Sequence, residues 1–422
     1  MSDAPNLSVG DRVTTTIVRP AHGGNGVGTL PDGRTVFVAN AIVGDVLSVT
    51  LTKVKSRFAH AEIADVLTPS PDRVPSRCAA AAAGAGCCDL AAVSVAAQAT
   101  LAQTVVTDQL RRLGAVANPA VSFRTVEPRS GWRTRIRLGV DSQGRAGLRQ
   151  RASHELVTVE CNQVDPRLYA GEGGVLQRRF TPGTEVVAVI DDTGSRHIVE
   201  VKKPPRGKRA ATTVSTLEGD GRVIQQVAGR TFELAPTSFW QAHQQAPAVL
   251  QTTIVALLQE GIAQTSTGDS PRVHTPGKFI GYDLYGGVGV LADALLAATP
   301  AHHQPEVFSV EVAPAAAQAG RAAYRRDPVS FVTGDVARAV TGLPPADAIV
   351  LDPPRTGAGA AAIAAIAAAQ APVVVAVGCD AATFARDIDA WQQHGYTLQR
   401  CVIVDTFPDT HHVETIGLLL RT

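Results

Sequence analysis

Hydrophobic and polar residues alternate in short runs over the first 70 or so residues of the chain. The runs VTTTIVRP, TVFVAN, VLSVTLTKV and HAEIADVL are rich in β-branched residues, and the turn sequences HGGNGVG and PDGR lie between them. Four or five such strands favour a small closed barrel, so residues 1–68 are predicted to form an OB-like β-barrel. Near its last strands, Lys53, Lys55, Arg57 and Phe58 suit single-stranded nucleic acid, and a solvated barrel face is the alternative.

A middle region follows the Pro- and Ser-rich stretch TPSPDRVPSRC (68–78). Residues 93–114 have helical spacing and end at Gly114, which suits a helix cap, and residues 121–235 return to strands. We therefore expect residues 76–235 to form a central α+β domain.

Two basic features mark this middle region. Arg133, Arg135 and Arg137 alternate on one predicted strand, which puts them on one face of the sheet. The segment KKPPRGKRA (202–210) is a basic loop. Both features suit contact with the phosphates of a nucleic acid, and both also suit a solvated surface.

From residue 236 the pattern changes to alternating strands and helices. Residues 238–262 begin with a turn and become a helix, and after the polar loop 263–278 come the apolar strands FIGYDL, EVFSV, AIVL and VVVAV with helices between them. This alternation predicts a doubly wound α/β domain with a parallel sheet over residues 236–422. Such sheets bind ligands at the carboxyl ends of their strands.

Acidic residues mark three successive predicted strands of this domain. The first strand runs into DLYGGVG (283–289), where the glycines let the backbone approach a ligand closely. The second ends at Glu311, which is placed to accept both hydroxyls of a ribose, and the third ends at Gly334-Asp335. The combination predicts a bound nucleoside cofactor.

Candidate reactive groups follow the last strands of the domain. Asp352 opens the rigid turn DPPRTG, Cys379 stands at the carboxyl end of VVVAV, and the segment DTFPDTHHVE (405–414) supplies two histidines and Glu414. A cysteine at that edge suits a nucleophile, and a histidine or carboxylate suits proton transfer. A structural turn, a buried cysteine and ordinary loop residues are the alternatives.

Composition narrows the class of protein. The chain of 422 residues is 45% hydrophobic and 18% charged, as in an ordinary globular protein, and its length suits two or three domains. We expect no membrane-spanning helix, no secretory signal in MSDAPNLSVGDRV and hence a cytoplasmic location. Residues 1–235 hold 29 Lys and Arg against 22 Asp and Glu, whereas residues 236–422 hold 10 against 16. A basic first half suits contact with the phosphate backbone of a nucleic acid. Ordinary variation of surface charge along the chain is the alternative.

Together these motifs resemble the RNA uracil-5-methyltransferase family over nearly the whole chain. GDRV, GGNGVG, VFVANAIVGD and KVKSRFAHAEI resemble its TRAM domain, and SFWQ (238–241) resembles its F-x-Q element. DLYGGVG, VEV, GD and DPPRTG follow the order and spacing of its cofactor motifs. GCDAATFARDI resembles its catalytic-cysteine segment and DTFPDTHHVET its closing segment.

The resemblance implies an S-adenosylmethionine-dependent enzyme that methylates carbon 5 of a uridine in structured RNA, with ribosomal RNA favoured over transfer RNA. It assigns Cys379 to attack on carbon 6 of uracil, which makes carbon 5 nucleophilic, and Glu414 to removal of the carbon 5 proton. The residues implied to line the cofactor and uracil pocket are Gln241, Tyr285, Gly287, Glu311, Asp335 and Asp352. The target base has to leave its stack to reach such a pocket. We expect the enzyme to be a monomer.

Two positions depart from the family pattern. Asp380-Ala381 follow the cysteine where the family usually has Asn-Pro, and the charge of Asp380 opposes formation of the thiolate unless it is paired. Val290 ends the glycine loop where the family usually has a polar residue, so one cofactor contact is expected to be lost.

The cysteines outside this site form a second candidate site. Some family members carry an iron–sulfur cluster in this region, and that resemblance makes Cys78, Cys87, Cys88 and Cys161 candidate ligands of a 4Fe-4S cluster. The family separates two of its cysteines by two residues, whereas Cys87 and Cys88 are adjacent. Adjacent cysteines can hardly both reach one iron without strain, although they can reach two irons of one cluster. Zinc and the absence of any metal are the alternatives, and Cys401, with apolar neighbours, is expected to be buried.

Two other functions fit the same residues. A methyltransferase that acts on cytosine in RNA, or on protein, also fits the cofactor motifs, and cytosine methylation needs a cysteine as well. A non-catalytic RNA-binding protein needs only the barrel and the basic strands. The methylation products separate these two functions from uridine methylation, because only a uridine methyltransferase yields 5-methyluridine.

Overall fold

The structure is a computed structural model that describes residues 7–151, 153–204, 211–266 and 277–422. Within these residues the strands form two six-stranded sheets, one two-stranded hairpin and one eight-stranded sheet.

The first sheet forms the N-terminal barrel. Its strands are β1 (Arg12–Thr16), β2 (Arg19–Ala21), β3 (Asn25–Thr29), β4 (Thr35–Ala39), β5 (Val46–Val54) and β6 (Phe58–Thr68). They lie in the order β1-β5-β6-β4-β3-β2. The sheet thus has six strands, whereas four or five were predicted. Alternate residues of β5, Leu47, Val49 and Leu51, are buried in a core of their own. The Thr15 hydroxyl donates a 3.0 Å hydrogen bond to the carbonyl of Thr29, which draws β1 towards β3 and curls the sheet.

A second antiparallel sheet forms most of the middle region. The elements here are α1 (Ala79–Ala82), α2 (Val95–Arg112), β7 (Val121–Thr125), β8 (Arg135–Val140), β9 (Ala146–Arg149), β10 (Leu156–Val157), β11 (Glu185–Ile190), β12 (Arg196–Lys202), β13 (Thr213–Glu218), β14 (Val223–Val227) and β15 (Arg230–Leu234). The sheet has the order β10-β9-β8-β11-β12-β13, and β14 and β15 form the hairpin. The helix predicted over residues 93–114 is confirmed as α2. Its cap is Ser94, whose side chain accepts the Ala97 N–H (3.3 Å).

The third sheet is the centre of the C-terminal region. The elements are α3 (Ala246–Ser266), β16 (Lys278–Leu284), α4 (Ala292–Ala298), β17 (Gln304–Glu311), α5 (Pro314–Ala323), β18 (Val329–Thr333), α6 (Val336–Ala339), β19 (Ala348–Leu351), α7 (Ala360–Ala367), β20 (Val373–Gly378), α8 (Ala381–Gln392), β21 (Tyr396–Asp405) and β22 (Glu414–Arg421). The order is β18-β17-β16-β19-β20-β22-β21-β7, and only β22 runs antiparallel to its neighbours within this sheet.

Helices cover both faces of this sheet. In β20, Val373 and Val375 pack in a cluster with α3, α4 and α5, whereas Val374 and Ala376 between them pack in a cluster with α2, α7 and α8. A strand buried on both faces needs apolar residues at every position, which is why VVVAV has no polar alternation. The predicted doubly wound α/β fold is confirmed.

The expected division of the chain at residue 236 is crossed by two elements. Strand β7 pairs in parallel with β21, with Cys401 opposite Val121 and Asp405 opposite Thr125. Helix α2 buries Val106 and Leu110 in the cluster that α7 and α8 also form. Residues 95–125 therefore belong with the eight-stranded sheet rather than with the middle region, because β7 covers the edge that β21 would otherwise expose.

Helix α3 bears on the expectation that the chain has no membrane-spanning helix. Residues Ala246–Thr265 are long and apolar enough, by length and composition alone, to cross a membrane. In the structure this helix packs on the sheet, with Leu250, Ile254 and Leu258 buried beside β20 and β22. Its apolar character is that of a core helix.

Candidate active site

The sheet register brings the predicted site residues to one edge. Leu284 pairs with Val310 on one side and with Leu351 on the other, and Leu351 pairs with Ala376. The residues that end or follow these parallel strands therefore share the carboxyl edge; they are Tyr285, Glu311, Asp352 and Cys379. Strand β22 runs the other way and starts at this edge, where Thr415 pairs with Gly378 and donates its hydroxyl to the Gly378 carbonyl (2.6 Å). This pairing puts Glu414 beside the cysteine.

The glycine loop after β16 is shaped by close packing. A Cβ at Gly286 would lie 2.4 Å from both Asp283 Oδ2 and Ser309 Oγ, so no larger residue fits. The N–H of Gly287 donates to Glu311 Oε2 (3.0 Å), which ties the loop to the end of β17. No atom of the described residues lies within 4 Å of a Cβ built on Gly287, so the space over this glycine is open.

Asp283 is a buried acid beneath this loop. One of its oxygens accepts the Ser309 hydroxyl (2.9 Å), and the other has no hydrogen-bond partner among the described residues. Burial raises the pKa of Asp283 to about 7, Ser309 opposes this, and the charges of Asp352 and Glu311 add to it. An unpaired oxygen in such a place fits a cationic or N–H-bearing ligand.

Two of the remaining predicted cofactor residues, Tyr285 and Asp335, lie close together at this edge. Asp335 is exposed and caps α6 by accepting the Arg338 N–H (3.2 Å). Burial raises the pKa of Tyr285, and the charge of Asp335 acts in the same direction, so the two residues are close. Gln241 is partly buried in the loop before α3. Val290 packs against the hydrophobic core, which explains an apolar residue at the end of the glycine loop.

Cys379 lies between two acids and one cation. Burial raises the pKa of its thiol to about 11, the charges of Glu414 and then Asp352 act in the same direction, and Arg355 opposes them. Burial and the Asp352 charge also raise the pKa of Glu414 well above its ordinary value. Burial raises the pKa of Asp352 to about 6. A carboxylate with a raised pKa is the stronger base, so Glu414 is suited to take up a proton.

The charge of Asp380, which would oppose formation of the Cys379 thiolate if it were unpaired, has two sets of partners. Its Oδ1 accepts the N–H groups of Ala382 (3.1 Å) and Thr383 (2.9 Å) at the start of α8. Its Oδ2 lies 2.9 Å from His22 Nε2, a residue of the barrel. Burial alone would raise the pKa of Asp380, but the Thr383 N–H and the His22 ring hold it below its ordinary value.

A cavity of about 200 Å³ opens beside Cys379. Barrel residues His22 to Asn25 form one wall, α2 forms another with Leu101 and Val105, and the closing segment adds His411 and His412. The barrel approaches closely because of its glycines: a Cβ at Gly24 would lie 2.2 Å from Asp89 Oδ2 and 3.1 Å from His411 Cβ. Sequence reasoning missed the barrel's part in this cavity, although the paired glycines of HGGNG were a signal for close approach.

The two histidines of the closing segment have different surroundings. His411 Nδ1 lies 2.5 Å from Asp89 Oδ2. His412 lies 3.1 Å from Arg355 Nη2. Burial lowers the pKa of His412 to about 4, and the neighbouring His411 and Arg355 act in the same direction, so its ring is neutral at pH 7. A neutral ring accepts a hydrogen bond from Arg355, which steadies the guanidinium near the thiol.

The predicted row of basic residues is only partly free for phosphates. Arg135 donates from Nη1 to the carbonyls of Pro236 and Ser238 (both 2.6 Å), and burial lowers its pKa to about 10. The interpretation of Arg135 as a phosphate contact or a solvated residue is therefore wrong: it holds the loop that leads to Gln241. Arg137 is exposed but paired with Glu185 (2.8 Å). Of the basic loop 202–210, residues 205–210 lie outside the described residues.

The four other candidate cysteines lie close together in the middle region, and the sulfurs of Cys78, Cys88 and Cys161 all lie within 4.8 Å of one another. Their Sγ–Sγ distances are 3.7 Å between Cys78 and Cys161, 3.5 Å between Cys87 and Cys88, 3.8 Å between Cys87 and Cys161, and 3.4 Å between Cys88 and Cys161. The thiolates of a four-iron cluster each bind a separate corner and lie much further apart, since the iron–sulfide core stands between them. The sulfur positions do not fit the expected 4Fe-4S cluster.

Comparisons with known proteins agree with this arrangement. The family model of the TRAM domain matches residues 7–64, and that of tRNA (uracil-5-)-methyltransferases matches residues 345–422. An uncharacterized RNA methyltransferase of Corynebacterium glutamicum is 45% identical to the chain, and the match covers 100% of both proteins. An uncharacterized RNA methyltransferase of Corynebacterium efficiens is 46% identical, and the match covers 99% of this chain and 96% of that protein. The chain belongs to the RNA uracil-5-methyltransferase family. It is an RNA methyltransferase with an N-terminal TRAM domain.

A solved structure shares the fold of this RNA methyltransferase over nearly its whole length. The tRNA (uracil-54, C5)-methyltransferase of Pyrococcus abyssi, solved in complex with S-adenosyl-L-homocysteine, superimposes with a TM-score of 0.68. It is 18% identical in sequence and covers 96% of this chain and 99% of its own. The arrangement of barrel, middle region and α/β sheet is thus a shared fold.

Proposed function

We propose that this RNA methyltransferase transfers the methyl group of S-adenosylmethionine to carbon 5 of a uridine in structured RNA, with Cys379 as a covalent nucleophile. The observation that carries the proposal is the position of Cys379 at the open end of β20, in a cavity, next to the two carboxyls of Glu414 and Asp352. A lone buried cysteine does not need such neighbours. A thiol that must add to a pyrimidine and then leave again does need a base beside it.

The edge formed by β16, β17 and β18 suits the proposed cofactor. Bound S-adenosylmethionine supplies a methyl group on a positively charged sulfur. Glu311 and Asp335 at successive strand ends suit the ribose and the adenine, and Tyr285 lies close to Asp335. The unpaired oxygen of Asp283 and the open space over Gly287 fit a ligand in contact with this loop. We propose that Gln241, in the loop before α3, also contacts the cofactor.

The residues of the chain have defined tasks in the proposed reaction. The Cys379 thiolate forms a bond to carbon 6 of uracil. The electron pair of the 5,6 double bond then forms the bond from carbon 5 to the methyl group, and S-adenosylhomocysteine is left as the neutral product. Glu414, as the carboxylate, then removes the proton from carbon 5. The electrons of that bond restore the double bond as the bond between carbon 6 and sulfur breaks, and Cys379 leaves as the thiolate it was. Arg355 offsets the negative charge that Glu414 and Asp352 place around the sulfur.

RNA reaches this site in the proposal through the barrel. Exposed Lys53, Lys55 and Arg57 lie on one side of it, near an aromatic cluster in which the Phe37 and His60 rings stack at 5.5 Å. Stacking surfaces beside basic residues bind unpaired bases. The cavity between the barrel and Cys379 then receives the flipped uridine.

We propose ribosomal RNA as the substrate, because the resemblance of the chain, with its TRAM barrel, to the family favours it. Transfer RNA is the second candidate, since the protein with the shared fold is a tRNA methyltransferase. The two are separated by the RNA fraction that takes up the label.

The test uses RNA from a strain that lacks the gene. Wild-type protein and Cys379→Ala are incubated with methyl-labelled cofactor and either ribosomal or transfer RNA, and the RNA is digested to nucleosides. We expect labelled 5-methyluridine from ribosomal RNA with the wild type and none with Cys379→Ala. Labelled 5-methylcytidine, or no label in either RNA, contradicts the proposal, and label in transfer RNA alone contradicts the choice of substrate.

A further inference from the structure

Helix α2 carries a row of polar residues that has no part in the proposed reaction. Its members recur at intervals of three and four residues, so they share one face of the helix. They are Thr100, Gln103, Thr104, Thr107, Asp108 and Arg111. Val106 and Leu110 lie on another face of the helix and are buried in the core. The polar row is therefore available for a task other than packing the helix on the sheet.

The polar row lines a groove between the helix and the barrel. Strand β2 lies beside α2, and Arg19, Pro20 and His22 form the opposite wall of this groove, whose volume is about 460 Å³. Pro20, His22 and Val105 line both the groove and the cavity beside Cys379, so the two spaces adjoin. We call this space the α2 groove. It leads from the protein surface to the proposed reaction site.

Two arginines of the α2 groove lack a carboxylate partner within the described residues. The side chain of Arg19 has no hydrogen-bond or ion-pair partner there, and that of Arg111 makes one hydrogen bond, from Nε to the Ala117 carbonyl (3.3 Å). Asp108, the acid of the polar row, is paired with Arg112 (3.0 Å). The guanidinium groups of Arg19 and Arg111 are thus free to bind an anion.

The threonines of the row suit the backbone of a nucleic acid as well. Thr100 and Thr104 are exposed, and Thr107 is half-buried. The Thr104 hydroxyl donates to the Thr100 carbonyl (2.7 Å), whereas the hydroxyls of Thr100 and Thr107 have no partner in the described part of the chain. Hydroxyl groups bind phosphate oxygens and the 2′-hydroxyl of ribose. From Thr100 to Arg111 the helix rises about 17 Å, which gives room for a few nucleotides of an extended strand.

We propose that the α2 groove binds a single-stranded segment of the RNA that carries the target uridine. The inference rests on the proposed function, because the groove adjoins the cavity for the flipped base, and the strand has to leave that cavity on one side. Arg19 and Arg111 bind phosphates of the segment, and the threonines between them bind its backbone oxygens. Contacts of this kind position the strand and carry little sequence preference.

Binding is measured with the full-length protein and a fluorescent single-stranded oligouridylate, so that no methylation is needed. Arg19→Ala and Arg111→Ala should each weaken binding about three- to tenfold. Each should also lower the slope of log K against log salt by about 0.7, the value for one lost phosphate contact on a single strand. An unchanged affinity and slope in either folded variant overturns the assignment of that arginine, and unchanged values in both overturn the proposal.

The matched control is Arg326→Ala. Arg326 is exposed and lies just before β18, at the edge of the eight-stranded sheet opposite to Cys379. Its loss removes the same charge from the protein and should change neither the affinity nor the salt slope. Arg111→Lys, which keeps the charge in the groove, should bind the RNA more tightly than Arg111→Ala. An equal loss of affinity in Arg326→Ala would show that the effect is one of net charge and would overturn the proposal.

Photo-crosslinking locates the strand. A photoreactive amino acid in place of Thr104, in the middle of the polar row, should crosslink to the oligouridylate, and the same amino acid in place of Arg326 should not. A protein that crosslinks equally at both positions, or not at all at position 104, overturns the proposal. Neither measurement depends on methylation. If the wild type forms no 5-methyluridine while the groove variants still bind RNA more weakly, the proposed function fails and the α2 groove remains an RNA-binding site.

Discussion

His22 of the barrel lies 2.9 Å from Asp380, the residue that follows the proposed nucleophile. This contact joins the first domain of the chain to the start of helix α8 across more than 350 residues of sequence. Asp380 serves the helix as well, since it accepts the N–H groups of Ala382 and Thr383. The acid that stands where the family usually has asparagine is therefore both a helix cap and the point at which the barrel is held over the cavity.

The capping role of Asp380 is tested by comparing two substitutions. Asp380→Ala removes the cap and should lower the free energy of unfolding by about 1 kcal/mol, whereas Asp380→Asn keeps a capping oxygen. The His22 pair is partly exposed and contributes less than about 1 kcal/mol, so its loss in Asp380→Asn should cost little. Urea unfolding followed by tryptophan fluorescence measures both, with Trp391 of α8 as a local probe. Equal losses in the two variants would show that the cap does not stabilise α8.

The barrel contact is tested by methylation kinetics. His22→Ala should lower kcat/KM for RNA by up to about fivefold, the equivalent of roughly 1 kcal/mol for a partly exposed pair, because the barrel wall of the cavity loosens. Arg12→Ala, which breaks an exposed pair with Asp65 in the same barrel, is the matched control and should leave kcat/KM unchanged. In the double variant His22→Ala with Asp380→Asn, the two losses should not add. Fully additive losses would mean that the two residues act separately.

The charge around the thiol predicts its pH dependence. The pKa of Cys379 is raised to about 11, so the thiol stays protonated at neutral pH and the thiolate fraction grows as the pH rises. Alkylation of Cys379 by iodoacetamide should thus be slow at pH 7 and accelerate up to about pH 11. Asp352→Asn removes a negative charge and should move this profile to lower pH.

Asp380→Asn is the control for that profile. Asp380 is adjacent in sequence, but its charge is already paired with His22 and the helix start, so its removal should leave the alkylation profile in place. Mass spectrometry of the Cys379 peptide follows the reaction at each pH. A shift with Asp380→Asn as large as that with Asp352→Asn would contradict this description of the electrostatics.

The glycine loop predicts a further pair of variants. Gly286→Ala places a methyl group 2.4 Å from Asp283 Oδ2 and Ser309 Oγ, so the loop has to move, at a cost of about 1–3 kcal/mol. We expect weaker binding of S-adenosylhomocysteine by calorimetry and a lower melting temperature. Gly342→Ala, where a Cβ meets no described atom within 4 Å, should change neither. Unaltered cofactor binding in a folded Gly286→Ala protein would argue against a role for this loop.

The parallel α/β arrangement and the edge that carries the site followed from local pattern. Runs such as VVVAV indicate strands buried on both faces, and parallel strands bring their carboxyl ends together, so Glu311, Asp352 and Cys379 could be grouped from sequence. Non-local contacts could not be obtained in this way. The pairing of β7 with β21 and the contact of His22 with Asp380 both join segments more than 250 residues apart. Short-range periodicity carries no information on such partners.

Arg135 shows a second limit of the sequence. Its position in an alternating row of arginines indicated a surface for phosphates, but the charge alone does not say which neighbour satisfies it. In the structure the carbonyls of Pro236 and Ser238 do so, because the loop before α3 folds over β8. A buried guanidinium bound to backbone carbonyls and an exposed one look alike in sequence. The folding of a distant loop decides between them.

The covalent step is tested most directly by trapping it. In Glu414→Gln the base that removes the carbon 5 proton is missing, so the bond between Cys379 and the uridine should form and persist after methyl transfer. The variant is incubated with RNA and S-adenosylmethionine and analysed by denaturing electrophoresis and mass spectrometry. We expect a methylated uridine attached to the Cys379 peptide. The double variant that also carries Cys379→Ala should show no such adduct. An RNA adduct at another residue, or 5-methyluridine formed at the normal rate by Cys379→Ala, would contradict the account.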